Sequence, residues 1–109
     1  AASDAFIHPT FYDPCSLVIL EAAACGLPVV TSRFNGATEL FRDGVSVFIV
    51  RDPGDAAETA RHIETLLDPG IRSRVAAAGL LAAGEATAEK SFLKLLDLCM
   101  RTMQYRQAA

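Results

Sequence analysis

The sequence is poor in the residue types that mark metal centres and disulfide scaffolds. Its 109 residues include no Trp, two His and three Cys, and the cysteines, Cys15, Cys25 and Cys99, follow no CxxC spacing. His8 and His62 lie far apart without companions at metal-ligand spacing, so we expect no metal site. An odd, unpatterned cysteine count fits a reducing compartment better than a disulfide framework, and it predicts a cytoplasmic protein.

Basic charge and long apolar runs are also scarce. Ten Lys and Arg stand against thirteen Asp and Glu, and the absence of a basic stripe disfavours nucleic-acid binding. The longest apolar stretch, residues 17–30, contains Glu21, Gly26 and Pro28 and is too short to span a bilayer. The N-terminus lacks a signal-peptide layout and an initiator Met. We therefore expect a piece of a longer cytoplasmic protein, whose full-length form could lie peripherally at the inner face of the membrane.

Short apolar runs alternate with helical patterns in the first half of the chain. Residues 5–8, 28–31 and 45–50 are predicted to be buried strands. Ser16 is a good N-cap for a helix that stops at the Cys-Gly pair of residues 25–26. Short buried strands joined by helical crossovers predict a parallel sheet that is covered on both faces.

No strand pattern returns after residue 55. Asp55 is predicted to cap the first of three helices, and the last helix is predicted over residues 88–104. Cys25 and Cys99 are expected to be small core residues. Five apolar residues of the last helix are expected to face inward, with part of that face exposed or paired with a second copy: Phe92, Leu95, Leu96, Cys99 and Met103.

The predicted fold class is α/β, with a partial Rossmann-like parallel sheet of about three strands, helices on both faces and a helical C-terminal tail. Residues 1–55 form the predicted α/β part, and residues 56–109 form the tail. Doubly wound sheets usually contain more than three strands. The remaining strands are therefore expected before residue 1.

The loop between the first strand and its helix is the predicted ligand site. In open parallel sheets, ligands bind outside the carboxyl ends of the strands. The free N–H groups and the dipole of the helix that starts at Ser16 attract phosphate. Asp13 and Glu21 bracket this helix end, and carboxylates accept hydrogen bonds from vicinal sugar hydroxyls. On spacing alone, an ordinary turn residue at Asp13 and a solvated helix face at Glu21 are favoured over a ligand site.

A long motif around this loop resembles the donor site of GT-B glycosyltransferases of family 4, a retaining family with an acidic-x7-Glu motif. Residues 13–17 read Asp-Pro-Cys-Ser-Leu, residues 21–22 read Glu-Ala, and residues 25–30 read Cys-Gly-Leu-Pro-Val-Val. Residues 35–39, Asn-Gly-Ala-Thr-Glu, resemble the family's Gly-Gly-x-Pro-Glu loop. The resemblance is close over residues 5–55 and looser beyond. His-Pro at 8–9 and Phe-Asn-Gly at 34–36 look most like the lipopolysaccharide-core glucosyltransferase branch.

The resemblance implies roles for individual residues. Asp13 would contact hydroxyls of the donor sugar, and Cys15 would occupy the family's usual aromatic position. The backbone amides of Ser16 and Leu17 would hold the sugar and the diphosphate, and Glu21 would bind the ribose. No residue of the chain is assigned a catalytic or metal-binding role. No cofactor is expected besides the donor substrate, a UDP-sugar or a similar nucleotide sugar.

Four positions depart from the family pattern. Asp13 replaces the commoner Glu and is one methylene shorter, which weakens the expected sugar contact. Ser16 and Asn35 replace glycines that allow close backbone approach, and Thr38 replaces Pro. None of these departures abolishes the motif.

The resemblance implies that residues 1–109 are the C-terminal half of a nucleotide-sugar-binding domain. The parent would transfer a hexose from a nucleotide-diphosphate sugar to a glycan or lipid-linked acceptor. Its acceptor-binding domain and the family's Arg/Lys pair would precede residue 1, so the fragment alone is expected to be inactive. Its uncovered sheet edge favours a homodimer of the fragment. The alternatives are a non-catalytic nucleotide-sugar-binding or interaction module and, more weakly, a response-regulator-like domain, which would need an acidic cluster that this sequence lacks.

Overall fold

The computed structural model describes residues 2–108 and contains a three-stranded sheet and four α-helices. The strands are β1 (Phe6–His8), β2 (Val29–Ser32) and β3 (Phe48–Val50). The helices are α1 (Leu17–Ala24), α2 (Ala56–Thr65), α3 (Pro69–Gly84) and α4 (Ala88–Ala108), with a 3₁₀ helix at Gly36–Leu40. The element order agrees with the sequence prediction, although β3 is shorter and α4 longer than predicted.

All three strands run parallel, and the sheet order β1-β2-β3 follows the chain. Ile7 pairs with Val30 in the register of β1 and β2, and Thr31 pairs with Ile49 in that of β2 and β3. Because the strands are parallel, their carboxyl ends lie at one edge of the sheet. The loops that follow them therefore lie side by side at that edge.

Neighbouring residues of β2 belong to different halves of the core, because side chains alternate along a strand. Val29 packs with Ile19 of α1 and Ala83 of α3 on one face. Val30 packs with Val50 and with Leu66, which ends α2, on the other. The sheet therefore has helices on both faces, and the predicted α/β fold class is confirmed.

Gly79 lets α3 lie close to the rest of the first core layer. A Cβ at this position would be 2.9 Å from the carbonyl oxygen of Ser46 and 3.8 Å from the Cβ of Ala23 in α1. The first distance is shorter than real Cβ contacts allow. The hydrogen side chain at Gly79 is therefore a packing requirement of the α1–α3 layer.

The prediction that α4 buries an apolar face is wrong for the described residues. Side chains expected inside are exposed: Phe92 to 62%, Leu95 to 58%, Leu96 to 45% and Met103 to 62%. Cys99 and Cys25, the C-cap residue of α1, are exposed as well, so the prediction that both are core residues is wrong. Periodicity defines an apolar face, but within residues 2–108 no element covers that of α4. The predicted homodimer stays a prediction.

No helix within residues 2–108 has both the length and the apolar composition required to cross a bilayer.

Candidate functional site

The loops after β1 and β2 are joined at the carboxyl edge of the sheet. The N–H of Asp13 donates to the carbonyl of Phe34 at 3.1 Å, and the N–H of Gly36 donates to the carbonyl of Asp13 at 2.8 Å. These bonds form a short parallel bridge between Asp13 and Asn35. The two stretches that carry the sequence motifs are thus held together as one backbone unit.

Gly36 is the point of closest approach between these two loops. A Cβ on Gly36 would lie 1.8 Å from the carbonyl oxygen of Pro14 and 2.8 Å from its carbonyl carbon. Both are backbone atoms, which cannot move aside as the end of a flexible side chain could. Any larger residue at this position must therefore displace the loop that contains Asp13.

Asn35 is fully buried between the two loops. Its Oδ1 accepts hydrogen bonds from the N–H of Ser16 at 3.3 Å and from the N–H of Ala37 at 3.1 Å. Its Nδ2 donates to the hydroxyl of Thr31 at 3.2 Å, and that hydroxyl donates to the carbonyl of His8 at 2.9 Å. Sequence reasoning treated Asn35 only as a replaced glycine, although Asn before a helix is a common N-cap.

Asp13 lies at the entrance to α1 with a partly exposed carboxylate. Its Oδ1 accepts from the N–H of Cys15 at 3.2 Å, and its Oδ2 is 4.0 Å from Nε2 of His8. The Asp13 side chain is 29% exposed. It retains one oxygen without a backbone partner, which can accept a hydrogen bond from a bound molecule. Cys15, next to it, is exposed.

Ser16 is the N-cap residue of α1, as predicted, but its side chain makes no capping hydrogen bond. Its own N–H is committed to Asn35, and the residue is only 4% exposed. The first N–H groups of a helix have no partner within it. Leu17 and Val18, which begin α1, are 65% and 48% exposed. This helix end therefore has the free amides and the dipole that attract an anion.

Glu21 lies on the exposed side of α1. It follows Leu17 by four residues and Val18 by three, so all three side chains share one face of the helix. The structure thus brings Asp13, Cys15, Ser16 and Leu17 together at the start of α1 and places Glu21 one turn further along. Glu39, in the 3₁₀ helix, is exposed.

The other two long helices of the packed region have closed N-termini. The carboxylate of Asp55 accepts from the N–H groups of Ala57 and Glu58 at the start of α2. The carboxylate of Asp68 does the same for Gly70 and Ile71 at the start of α3.

A concave surface of about 540 Å³ lies elsewhere, beside β3 and α2. It is lined by Asp43, Ile49, Arg51, Asp52, Asp55, Glu58, Arg61 and His62. Its carboxylates already bind backbone: Asp43 accepts from Ile49, and Glu58 accepts from Arg51 and Asp52. These backbone hydrogen bonds lower the pKa of Glu58 from its ordinary value. We interpret this surface as a structural feature, because its acids bind the backbone of β3 and of the turn that follows it.

Among residues 2–108, no three His, Cys, Asp or Glu side chains are grouped as a metal ion would require.

An α/β unit with an open helix end at the carboxyl edge of a parallel sheet is typical of domains that bind phosphorylated ligands. A sequence profile described as Glycosyl transferases group 1 matches residues 1–69. The chain belongs to this family of glycosyl transferases, as the resemblance of its motif predicted.

Individual relatives agree with this assignment. The D-inositol 3-phosphate glycosyltransferase of Acidothermus cellulolyticus is 43% identical over 74 residues, which cover 68% of this chain and 16% of that protein. The lipopolysaccharide core biosynthesis glycosyltransferase LpsE of Rhizobium meliloti is 41% identical over 80 residues, which cover 72% of this chain and 23% of the relative. The matched residues thus span less than a quarter of the length of either protein.

Solved structures give the same result for the fold. The Anabaena protein Alr3699/HepE in complex with UDP and glucose matches with a TM-score of 0.78 and 28% identity, over 93% of this chain and 28% of that one. Its complex with UDP-glucose matches over 77% of this chain with a TM-score of 0.71 and 32% identity. The β1–α1–β2–β3 arrangement is therefore that of a known glycosyltransferase fold.

Proposed function

We propose that this chain is the C-terminal half of the nucleotide-sugar-binding domain of a longer, retaining glycosyltransferase with the GT-B fold. The parent would be cytoplasmic and would transfer a hexose from a UDP-sugar to a glycan or lipid-linked acceptor, with lipopolysaccharide core as our first choice. The observation that carries this proposal is the open N-terminus of α1 between Asp13 and Glu21, in a chain of this family.

In this proposal, each part of the donor binds a different part of α1 or of the loop before it. The diphosphate would lie at the helix end, where the dipole and unpaired amides favour negative charge. Because the amide of Ser16 is bonded to Asn35, Leu17 and Val18 would supply the amides. The free oxygen of Asp13 would accept a hydroxyl of the sugar, and Glu21, one turn along the exposed face, would accept the ribose hydroxyls.

This arrangement suits glycosyl transfer chemically. When the bond between the sugar and the diphosphate breaks, negative charge develops on the leaving diphosphate. Preorganised dipoles aimed at developing charge lower the barrier to such a step. The end of α1 supplies one such dipole, and cations in the preceding part of the parent would supply more. We therefore propose that the chain contributes donor binding, while turnover needs the longer protein.

The relatives support the finer parts of the proposal. The Anabaena protein was solved with UDP and with UDP-glucose, which favours a UDP-linked hexose as the donor. The Rhizobium relative is named for lipopolysaccharide core biosynthesis, which favours an acceptor of that kind. Sequence resemblance to that branch at residues 34–36 points in the same direction.

The proposal is tested by titrating UDP and UDP-glucose separately into the full-length protein in a calorimeter. Glu21→Gln should weaken both ligands by the same factor, about tenfold, because hydrogen bonds to a charged group contribute about 1.5–3 kcal/mol. Asp13→Asn should weaken UDP-glucose alone, since the sugar is the part that Asp13 contacts. Asn can keep the Oδ1 bond to Cys15, so the loop should be preserved.

Glu64→Gln is the matched control, because Glu64 is also an exposed helical glutamate. It should change neither affinity. Unchanged UDP affinity in Glu21→Gln would remove the ribose role of Glu21. A folded wild-type protein that binds neither UDP nor UDP-glucose would refute the proposed donor and favour a non-catalytic interaction module.

A further inference from the structure

Asn35 uses all of its side-chain polar atoms inside the protein. It is 0% exposed, its Oδ1 accepts two backbone N–H groups, and its Nδ2 donates to Thr31. The bond from Ser16 spans 19 residues of sequence and joins the loop after β1 to the loop after β2. Asn35 is therefore a tertiary link, in addition to being the N-cap of the 3₁₀ helix.

The bond from Ser16 determines how α1 begins. Ser16 has an extended backbone, with φ −76° and ψ 108°, and the helix starts at the next residue. Because its own hydroxyl makes no capping bond, the position of Ser16 depends on Asn35. The same bond turns the Ser16 amide inward. The amides that remain at the exposed helix end are then those of Leu17 and Val18.

The network continues to the end of β1. Thr31, which is fully buried in β2, accepts from Asn35 and donates to the carbonyl of His8. The backbone bridge of Asp13 also flanks Asn35. The buried amide of Asn35 therefore links the N-cap of α1 directly, and the end of β1 through Thr31, while the backbone on either side of Asn35 holds the loop with Asp13.

We propose that Asn35 is a positioning residue for the donor. It does not touch the donor, because it is completely buried. It holds the start of α1 and the backbone of Asp13 in the arrangement that receives the diphosphate and the sugar. This inference rests on the proposed donor-binding function of that loop.

The test is the steady-state kinetics of Asn35→Ala in the full-length enzyme. We expect the KM for the nucleotide sugar to rise about ten- to hundredfold, since small displacements of a binding group have effects of that size. The KM for the acceptor should stay unchanged, because the acceptor does not bind at this loop.

A stability control separates positioning from a merely structural role. Val75 and Leu66 are buried in α3 and at the end of α2, away from this loop. The melting temperatures of Val75→Ala and Leu66→Ala are compared with that of Asn35→Ala. The variant with the same decrease in melting temperature is the matched control. It should leave the donor KM unchanged. An equal donor KM in Asn35→Ala and its match would overturn the inference.

Thr31→Val gives a second, milder variant in case Asn35→Ala does not fold. It keeps the shape of the side chain but removes the hydroxyl that binds Asn35 and His8. We expect a donor KM about threefold higher, a smaller rise than in Asn35→Ala, because Asn35 loses one neutral hydrogen bond but keeps those from Ser16 and Ala37. An unchanged donor KM would contradict the network. Wild-type UDP affinity is measured alongside. If the wild type binds UDP and both variants behave like the control, only the role of Asn35 fails, whereas a wild type without UDP affinity refutes the proposed function itself.

Discussion

Two βα turns of this protein lie at the same edge of the same sheet but differ in whether a side chain binds the first amides of the following helix. After β3, Asp55 accepts the first amides of α2, and Glu58 reaches back to accept those of Arg51 and Asp52. After β1, the side chain of Ser16 bonds no amide of α1. In the turn after β3, the helix amides are bound by the turn's own carboxylates. In the turn after β1, they are not.

Under the proposed function, this difference separates a structural turn, after β3, from a ligand-binding turn, after β1. Carboxylates at a helix N-terminus stabilise it by neutralising its partial positive charge. The negative charge of these carboxylates repels a phosphate. A helix end that they occupy therefore cannot also receive an anionic ligand. At the start of α1, a neutral and buried side chain makes the stabilising contact instead: Asn35 accepts a hydrogen bond from the N–H of Ser16. The helix end itself remains available.

The largest expected effect comes from Gly36→Ala, which should break the link between the loops after β1 and β2. The new Cβ would overlap the backbone of Pro14. Overpacking costs about 1–3 kcal/mol, and here the displaced atoms belong to the loop that holds Asp13. Urea unfolding of the full-length protein measures this cost, and UDP titration should show weakened binding as well.

Gly84→Ala is the matched substitution for Gly36→Ala. Nothing lies within 4 Å of a Cβ at Gly84 in α3, so this variant should be neutral or more stable by up to about 1 kcal/mol, because Ala favours helix. Equal unfolding free energies for the two variants would show that the approach of Gly36 to Pro14 is not a structural requirement.

The second-largest effect is expected from Asp55→Ala, which is compared with Ser16→Ala because these residues are the N-caps of α2 and α1. Asp55→Ala should lower the free energy of unfolding by about 0.5–2 kcal/mol, the usual cost of losing a capping side chain. Ser16→Ala should cost less than about 0.5 kcal/mol, since no capping bond is lost and such substitutions are usually mild. Denaturant unfolding of both variants under one set of conditions gives the difference. A loss in Ser16→Ala as large as that in Asp55→Ala would mean that α1 is capped like α2.

The smallest effect concerns pH at the turn after β3. Hydrogen bonds from Arg51 and Asp52 lower the folded-state pKa of Glu58 below its ordinary value of 4.5. The stability that Glu58 contributes is therefore complete above that value and is lost as the pH falls through the lower, folded pKa. Melting temperatures of wild type and Glu58→Gln should converge on acidification. A constant offset between wild type and Glu58→Gln over the acid range would contradict the assignment.

Local chemistry explains which parts of the fold could be predicted. The β-branched run at residues 28–31, the N-cap at Ser16 and the N-cap at Asp55 all depend on neighbours a few residues away. Both caps appear where they were predicted, and the strand appears one residue later, at Val29–Ser32. The prediction that one face of α4 points inward was wrong, because burial requires a partner surface and periodicity contains no information about one. The role of Asn35 was missed because its bond to Ser16 crosses 19 residues.

The sequence by itself determined the α/β class, the order of the elements and the residues that meet at the start of α1. The alternation of apolar runs with helical patterns, the capping preferences and the motif at residues 13–30 are all properties of short stretches of chain. Only the tertiary structure decided that the amide of Ser16 points inward to Asn35, that Gly36 touches the backbone of Pro14 and that α4 has an uncovered apolar face. Each of these depends on distances between segments that are remote in sequence. Such distances are set by how the strands and helices pack.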